Sequence, residues 1–208
     1  MTKKLYIFDF DGTITTKDSL FEFLKFSHGK TYYINILVLT PILVLYLLKL
    51  ISNEKAKEIL FSKFYKNKTA KEFTLLCERF AEKIDNFVNP EIKKKLSKIT
   101  SEKLNVIIIS ASIQNWIQPW ALKNKIHTVI GTEIEIKNGI ITGKFLSKNC
   151  YGAEKVNRLN EYFNKTGERR NNYFITSFGD SKGDYNLLSY SDEAFLVKKT
   201  QLIKYEKN

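Results

Sequence analysis

The sequence predicts an α/β fold with a Rossmann-like parallel sheet core, an inserted helical cap domain and a small β-hairpin. Three observations lead to this prediction. Short apolar runs alternate with helical segments, a long helical pattern follows the first run, and a later stretch alternates apolar and polar residues around Asn138-Gly139. At 208 residues, 43% of them hydrophobic and 27% charged, the chain is long enough for one core domain with a smaller insert.

Four apolar runs predict the strands of the core sheet. They are short, continuous and rich in β-branched and aromatic residues, which is typical of strands buried on both faces of a parallel sheet. They cover residues 5–8, 106–109, 173–175 and 194–197. The helical segments between them would supply the crossovers that parallel strands need.

Residues 17–90 have helical apolar spacing, as in SLFEFLKF and KEFTLLCERFAEKI, and they separate the first strand from the others. We therefore expect an α/β core domain formed by residues 1–16 and 91–208, and a helical cap domain formed by residues 17–90. Residues 131–145, GTEIEIKNGIITGKF, predict the hairpin, because Asn-Gly between alternating runs is a strong signal for a tight β-turn.

The formal net charge of +12 comes mostly from lysines spread along the chain, without an RNP, zinc-finger or helix-turn-helix signature. Dispersed lysines usually form a solvated surface, so we expect no nucleic-acid partner. The charge would favour an anionic substrate or an anionic membrane face. Cys77 and Cys150 form no CxxC pair, and the first residues lack the features of a signal peptide, which together favour a reduced, cytoplasmic setting.

Aspartates follow two of the predicted strands directly. Asp9 and Asp11 come after the first strand, and Asp180 and Asp184 follow the third. Residues i and i+2 of an extended chain point to the same side, and open parallel sheets bind ligands at the carboxyl edge of their strands. Oxygen ligands of this kind suit Mg²⁺, whereas either cluster alone would also fit a turn.

Four segments resemble the motifs of the haloacid dehalogenase superfamily, in the same order. They are DFDGT (9–13), SAS (110–112), the lysine of GAEKV (152–156) and GDSKGD (179–184). The hairpin segment followed by NCYGAEKVNRL further resembles the phosphoserine-phosphatase-like branch, which carries a helical cap between the first two motifs. The combination is specific for phosphoryl chemistry.

The resemblance implies a Mg²⁺-dependent phosphomonoester phosphatase with an aspartyl-phosphate intermediate. Asp9 would be the nucleophile and Asp11 the general acid and base. The Mg²⁺ ligands would be Asp9, Asp11 and Asp180, with Asp184 orienting a metal-bound water. The groups that bind phosphate would be Ser110, Ala111, Ser112 and Lys155.

The substrate is encoded weakly. Asp18 lies where phosphoserine phosphatases resemble one another in carrying a carboxylate that holds the substrate's amino group, although an aspartate there is also a good helix cap. We expect a small amino-alcohol, amino-acid or sugar phosphate used in envelope or metabolite biosynthesis. Transfer of the phosphoryl group to another alcohol and the oligomeric state stay open.

Residues 31–48, TYYINILVLTPILVLYLL, carry no charge and approach the length that spans a bilayer. Pro41 should break the segment into two short helices, and the residues on both sides must return to one site. Two interpretations remain: a buried or self-associating helix pair, and a peripheral contact with the membrane interface. The apolar cap and the CYGAEK stretch resemble phosphatidylglycerophosphatase C, which implies a lipid-phosphate phosphatase working at the membrane surface as an alternative. A second alternative is a non-catalytic membrane- or partner-binding module that merely retains the fold.

Overall fold

A six-stranded sheet forms the centre of the molecule. The structure is a computed structural model that describes residues 2–206. The strands are β1 (Lys3–Phe8), β2 (Asn105–Ile113), β3 (Thr128–Thr132), β4 (Ile134–Lys137), β5 (Ile140–Phe145), β6 (Tyr173–Gly179), β7 (Glu193–Lys198) and β8 (Gln201–Lys204). The sheet has the order β3-β2-β1-β6-β7-β8, while β4 and β5 form a separate antiparallel pair. All neighbours in the large sheet are parallel except β7 and β8.

Both faces of the sheet are buried, as the continuous apolar runs predict. Leu5 and Ile7 pack on one face, in a cluster that includes Leu159 and Leu187 of the helices covering that side. Phe8 packs on the opposite face and stacks on Phe178 of β6 with ring centroids 4.4 Å apart. The fold-class prediction is confirmed, and its four strands correspond to β1, β2, β6 and β7.

Two strands were not predicted. Residues 131 and 132 were assigned to the hairpin but belong to β3, which pairs with β2. The run TVIGT is short and contains Gly131, so it lacks the continuous apolar character of the central strands. The edge strand β8 has the sequence QLIK. It was not predicted because it is short and two of its four residues are polar.

Nine α-helices are formed in the described part of the chain. They are α1 (Ser19–His28), α2 (Lys30–Val38), α3 (Thr40–Leu47), α4 (Asn53–Tyr65), α5 (Ala70–Ile84), α6 (Pro90–Ser101), α7 (Gln114–Lys123), α8 (Ala153–Thr166) and α9 (Tyr185–Tyr190). Helices α1–α5 lie between β1 and α6, in the segment that the sequence assigns to the cap.

An aromatic cluster holds the cap helices together. Phe23 of α1 lies in contact with Tyr65, Phe73 and Phe80 of α4 and α5, at ring-centroid distances of 5.1–5.6 Å. It also stacks on Trp116 of α7 at 4.9 Å. Since α7 belongs to the core, the same ring ties the cap to the sheet domain.

The hairpin β4–β5 also contacts the cap. Asn138 and Gly139 both have positive φ, as the tight turn between the two strands requires. The backbone N–H groups of Asn67 and Ala70 donate to the carbonyl oxygens of Ile141 and Gly139, at 2.9 and 2.8 Å, and Ile141 N–H donates to Lys68 at 2.9 Å. The hairpin, which lies in the sequence segment assigned to the core domain, is therefore hydrogen-bonded to the connection between α4 and α5.

Helices α2 and α3 form a bent pair with an exposed apolar surface. They meet at an angle of 56° around Leu39, and Pro41 lies in the first turn of α3, so the predicted break is confirmed. In residues 2–206 no single helix has the length and apolar composition of a membrane span, whereas this bent pair passes the same test jointly. We call six side chains, each 58–75% exposed, the apolar face: Ile34, Leu37, Val38, Leu47, Leu48 and Leu50.

The interpretation of residues 31–48 as a helix pair buried in the cap is wrong. Helix α3 buries none of its residues, and α2 buries only Tyr32. Leu39 at the bend is the other buried anchor, 7% exposed. The aromatic cluster already fills the core of the cap, so the cap has no space in which α2 and α3 could be buried. An apolar run alone therefore does not predict burial.

Candidate active site

The carboxyl edge of the sheet collects the predicted site residues. Asp9 directly follows β1, is 5% exposed, and its backbone N–H donates to Phe178 of β6 at 2.9 Å. Lys155 lies in the first turn of α8, after Gly152 at positive φ. Its Nζ is 2.6 Å from Asp9 Oδ1 and 2.5 Å from Asp184 Oδ1, which makes a buried cation between two carboxylates.

Three carboxylates converge beside this lysine. Oxygen atoms of Asp9, Asp180 and Asp184 lie within 4.8 Å of one another. Asp184 is fixed by its other oxygen, Oδ2, which accepts from the backbone N–H groups of Asp180 and Ser181 and from Ser181 Oγ, each at 3.1 Å. Asp180 lies against Gly12, where a Cβ atom would overlap its carboxylate and where φ is +79°, so this turn requires glycine.

The charges of this group do not balance. The pKa of Asp9 is raised well above its usual range by burial and by the charge of Asp184, against the attraction of Lys155. Burial and Asp184 raise the pKa of Asp180 to about 6. Burial would lower the pKa of Lys155, but Asp9 and Asp184 raise it above its ordinary value. One ammonium thus faces three carboxylates, and the oxygen-only donor set fits a hard dication such as Mg²⁺.

Asp11 lies outside the three-carboxylate group. Its Oδ1 accepts from the backbone N–H of Ser19 at 2.7 Å, and its Oδ2 accepts from Ser112 Oγ. The predicted metal set was Asp9, Asp11 and Asp180, whereas the structure brings together Asp9, Asp180 and Asp184. The reason is that β1 ends at Phe8 and the chain then turns, so the alternation of an extended strand does not continue to Asp11.

The predicted phosphate-binding residues surround the same space. Ser110 is 1% exposed, and its Oγ accepts from the backbone N–H of Ser112 at 3.0 Å. Ser110, Ala111 and Lys155 line a cavity of about 190 Å³ together with Asp9, Asp11, Asp180 and Asp184. Ser112 does not line this cavity, but its Oγ donates to Asp11, which does.

Asp18 was predicted to cap a helix or to hold the amino group of the substrate. Its Oδ1 caps α1 by accepting from the backbone N–H of Leu20 at 2.9 Å, and the residue also lines the cavity. Burial raises the pKa of Asp18, and so does the charge of Asp11, while Lys57 lowers it. The helix-capping role of Asp18 is thus observed, while its role in binding a substrate amine stays a prediction.

Outside the four motifs, sequence reasoning missed three residues of the cavity wall: Asn53 and Lys57 of α4, and Tyr151 before α8. Lys57 Nζ donates to the carbonyl oxygen of Ala111 at 3.4 Å. A lysine in an amphipathic helix is usually solvated, so the pattern of α4 gave no signal that Lys57 faces the core. Larger cavities exist, including one of about 400 Å³ between Leu5, Lys103 and Tyr173, but none of the described residues that line it carries a carboxylate.

Comparisons with known proteins agree with this geometry. Residues 6–189 match the model of the haloacid dehalogenase-like hydrolases. The chain is 30% identical to Protein CicA of Caulobacter vibrioides over 191 residues, which cover 91% of this chain and 83% of that protein. Two examples illustrate the solved structures that share the fold. One is a protein with unknown function from Bordetella pertussis Tohama I, with a TM-score of 0.80 and 18% identity, covering 93% of this chain and 89% of that one.

The other is a phosphoserine phosphatase solved as an analogue of its phospho-aspartyl intermediate, with a TM-score of 0.62 and 14% identity, covering 93% of this chain and 86% of that chain. At that identity the likeness shows a shared fold, in agreement with the predicted branch. The family match, which spans the aspartates and the lysine described above, establishes the kind of enzyme. The chain belongs to the haloacid dehalogenase-like hydrolases, with the fold of the phosphoserine-phosphatase-like branch.

Proposed function

We propose that this hydrolase is a Mg²⁺-dependent phosphomonoester phosphatase that works through an aspartyl-phosphate on Asp9. The observation that carries the proposal is the contact of Lys155 Nζ with Asp9 Oδ1 at 2.6 Å. It holds Oδ1 of the carboxylate, and Asp9 lines the wall of the cavity. Mg²⁺ at this site would favour the ionised form of Asp9, and a fixed carboxylate beside two cations is suited to attack phosphorus without a general base.

The first step transfers the phosphoryl group to the enzyme. Asp9 Oδ2 forms a bond to phosphorus while the bond from phosphorus to the ester oxygen breaks, and Asp11 gives its proton to the leaving alcohol. The two hydrogen bonds from Ser19 and Ser112 hold the Asp11 carboxyl group in place. Ser110, the amide of Ala111 and Lys155 are the donors for the charge on the phosphoryl oxygens.

The second step releases phosphate. Water attacks phosphorus, Asp11 takes the proton of the water, and the bond to Asp9 Oδ2 breaks. Asp9, Asp180 and Asp184 would hold Mg²⁺, which when bound neutralises charge on the transferring group. The enzyme ends in its starting state, and the products are the alcohol and inorganic phosphate.

The cap side of the cavity supports a small polar substrate. Asp18 offers a carboxylate, and Lys57 and Asn53 offer donors, around a cavity of about 190 Å³. A carboxylate next to a cation suits an amino-alcohol, amino-acid or sugar phosphate, because a substrate amine can pair with Asp18 and an oxygen can accept from Lys57.

Trapping of the phosphoenzyme tests the mechanism. The wild-type enzyme with Mg²⁺ and p-nitrophenyl phosphate, quenched in acid, should carry one phosphoryl group on the peptide that contains Asp9. Asp9→Asn should release no phosphate and form no phosphoenzyme, while Asp85→Asn, outside the cavity, should behave as wild type. Substantial turnover of Asp9→Asn would exclude the covalent mechanism.

A lipid phosphate is the second candidate substrate, and one contact favours it. Asn53, in the cavity wall, donates to the hydroxyl of Tyr46 on α3 at 3.1 Å, so the exposed apolar segment adjoins the cavity. The test compares phosphate release from phosphoserine and phosphoethanolamine with release from phosphatidic acid in detergent micelles. Faster turnover of the micellar ester would favour the lipid class, and no turnover of any ester would favour a non-catalytic module.

A further inference from the structure

The apolar face is not part of the core of this protein. Leu37 and Leu47 are 74% and 75% exposed, and Leu48 and Leu50 are 63% and 67% exposed. Contiguous apolar side chains of this size on a folded domain mark a surface that contacts another molecule or a membrane. Because α3 buries none of its residues, stability of the cap does not explain its apolar sequence.

The rim of the apolar face is positively charged. Between Glu22 and Glu54 the sequence contains no aspartate or glutamate. Lys25 and Lys30 lie on its N-terminal side and Lys49 lies between two leucines of the face, all three exposed. Lys25 is paired with Glu22 at 3.1 Å, so the positive charge of the rim rests mainly on Lys30 and Lys49. The partner should therefore be apolar where the leucines meet it and anionic around them.

We propose that the apolar face is a peripheral docking surface for an anionic lipid bilayer. The leucines would enter the boundary between headgroups and acyl chains, and the lysines would contact the anionic headgroups. The bent geometry fits this role, since two short helices at 56° whose ends both return to the cap are suited to lie along an interface.

A bilayer explains the charge pattern better than a second copy of the chain does. A two-fold contact between two apolar faces would bring Lys30 and Lys49 of both copies together, and like charges in an interface are unfavourable. An anionic membrane surface is instead complementary to the same lysines. The surface is also next to the active-site cavity through Tyr46 and Asn53, so docking would bring the cavity close to the headgroups.

Vesicle co-sedimentation of the full chain tests the proposal. We expect the wild-type protein to bind vesicles of phosphatidylcholine with phosphatidylglycerol at low salt, and to bind about tenfold more weakly at high salt because the lysines are screened. The double variant Leu37→Ser/Leu47→Ser should lose binding by about a hundredfold. Lys30→Gln/Lys49→Gln should bind about tenfold more weakly and lose most of its salt dependence.

A matched control separates the apolar face from exposed leucines in general. Leu122 of α7 is 51% exposed and lies outside the apolar face, so Leu122→Ser should bind as the wild type does. Thermal unfolding of each variant shows that it is folded, which is expected because the changed side chains are exposed.

Three results would overturn the proposal. They are no vesicle binding by the wild type at any salt concentration, unchanged binding by Leu37→Ser/Leu47→Ser, and a wild-type dimer in light scattering that ignores vesicles and dissociates in that double variant. Phosphate release plays no part in these measurements, so their outcome is independent of the proposed phosphatase activity.

Discussion

The carboxyl edge of the sheet and the apolar face of the cap depart from ordinary burial in opposite directions. At the sheet edge the side chain of Lys155 is only 2% exposed and lies between Asp9 and Asp184, although charged side chains are usually exposed to solvent. On the cap, Leu47 is 75% exposed, although apolar side chains are stabilised by burial. Stability alone would select neither arrangement. Under the two proposals above, Mg²⁺ with a phosphate would stabilise the first arrangement, and an anionic membrane surface would stabilise the second.

The two regions also differ in how they are held. Asp184 is fixed by hydrogen bonds from Asp180, Ser181 and Lys155, as a site that performs chemistry requires. The apolar face is anchored mainly by Tyr32 and Leu39. A change at the sheet edge should therefore alter activity and stability, whereas a change on the apolar face should alter association only.

Among substitutions that leave the nucleophile in place, the largest effect on turnover is expected at Asp11. Asp11→Asn should slow hydrolysis of an alkyl phosphate by about 10²–10⁴-fold, because a poor leaving group needs the proton. It should form the phosphoenzyme from p-nitrophenyl phosphate with a much smaller loss, since that leaving group needs none. Rapid-quench kinetics with the two esters give the comparison. An equal loss for both would contradict the acid and base role.

Lys155 should be required for stability as well as for activity. Lys155→Met leaves Asp9 and Asp184 buried without their cation, which should reduce the free energy of unfolding of the metal-free protein by about 3–5 kcal/mol. Urea denaturation measures this. Lys57→Met is the matched control, because Lys57 is only partly buried, and its stability should change little. If both variants are as stable as wild type, Lys155 does not stabilise the buried carboxylates of Asp9 and Asp184, and the prediction is wrong.

Mg²⁺ should stabilise the sheet edge directly. A free concentration of about 100 times the dissociation constant should add about 2.7 kcal/mol to the free energy of unfolding. Chelation should abolish phosphate release, and Asp180→Asn should reduce the stabilisation by Mg²⁺. Thermal unfolding with and without Mg²⁺ measures the effect, and full activity of a metal-free preparation would contradict the metal site.

The metal-free protein should also respond to pH at this edge. Because the pKa of Asp180 is raised to about 6 when folded, above its value in the unfolded chain, the folded state binds more protons between the two values. The contribution of Asp180 to stability therefore increases as the pH falls from about 7 to about 5. Asp180→Asn should remove part of this dependence in urea denaturation, and an unchanged pH profile would contradict the raised pKa.

The smallest effect is expected on the apolar face. Leu47→Ala should change the free energy of unfolding by less than about 0.5 kcal/mol, because the side chain is exposed. Leu60→Ala, in the same cap but 5% exposed, should cost about 2–5 kcal/mol. Equal losses would mean that Leu47 is buried in solution and that the contrast between the two regions does not hold.

The sequence is most informative where local pattern and chemistry coincide. The runs that became β1, β2, β6 and β7 are continuous and apolar, and Asp9, Lys155 and Asp180 follow recognisable motifs, so the edge of the sheet was predictable. The orientation of Asp11 was not, because it depends on a turn and on partners in α1 and β2. Lys57 was missed for a similar reason: only the tertiary contacts of α4, which packs on β5 and places Lys57 Nζ beside the carbonyl oxygen of Ala111, show which of its lysines faces the cavity.

The pairing of the hairpin with the α4–α5 connection has a consequence for motion. Any displacement of α4 and α5 from the sheet that keeps the hydrogen bonds of Asn67, Ala70 and Ile141 must carry β4 and β5 with it. The part of the molecule that moves would then include the hairpin, which follows β3 in the sequence. The chain would have to bend at residues 133 and 146–149, on either side of the hairpin, as well as at the two ends of the cap segment. Slow hydrogen exchange at the Ile141 amide would mark the hairpin and the cap as one unit.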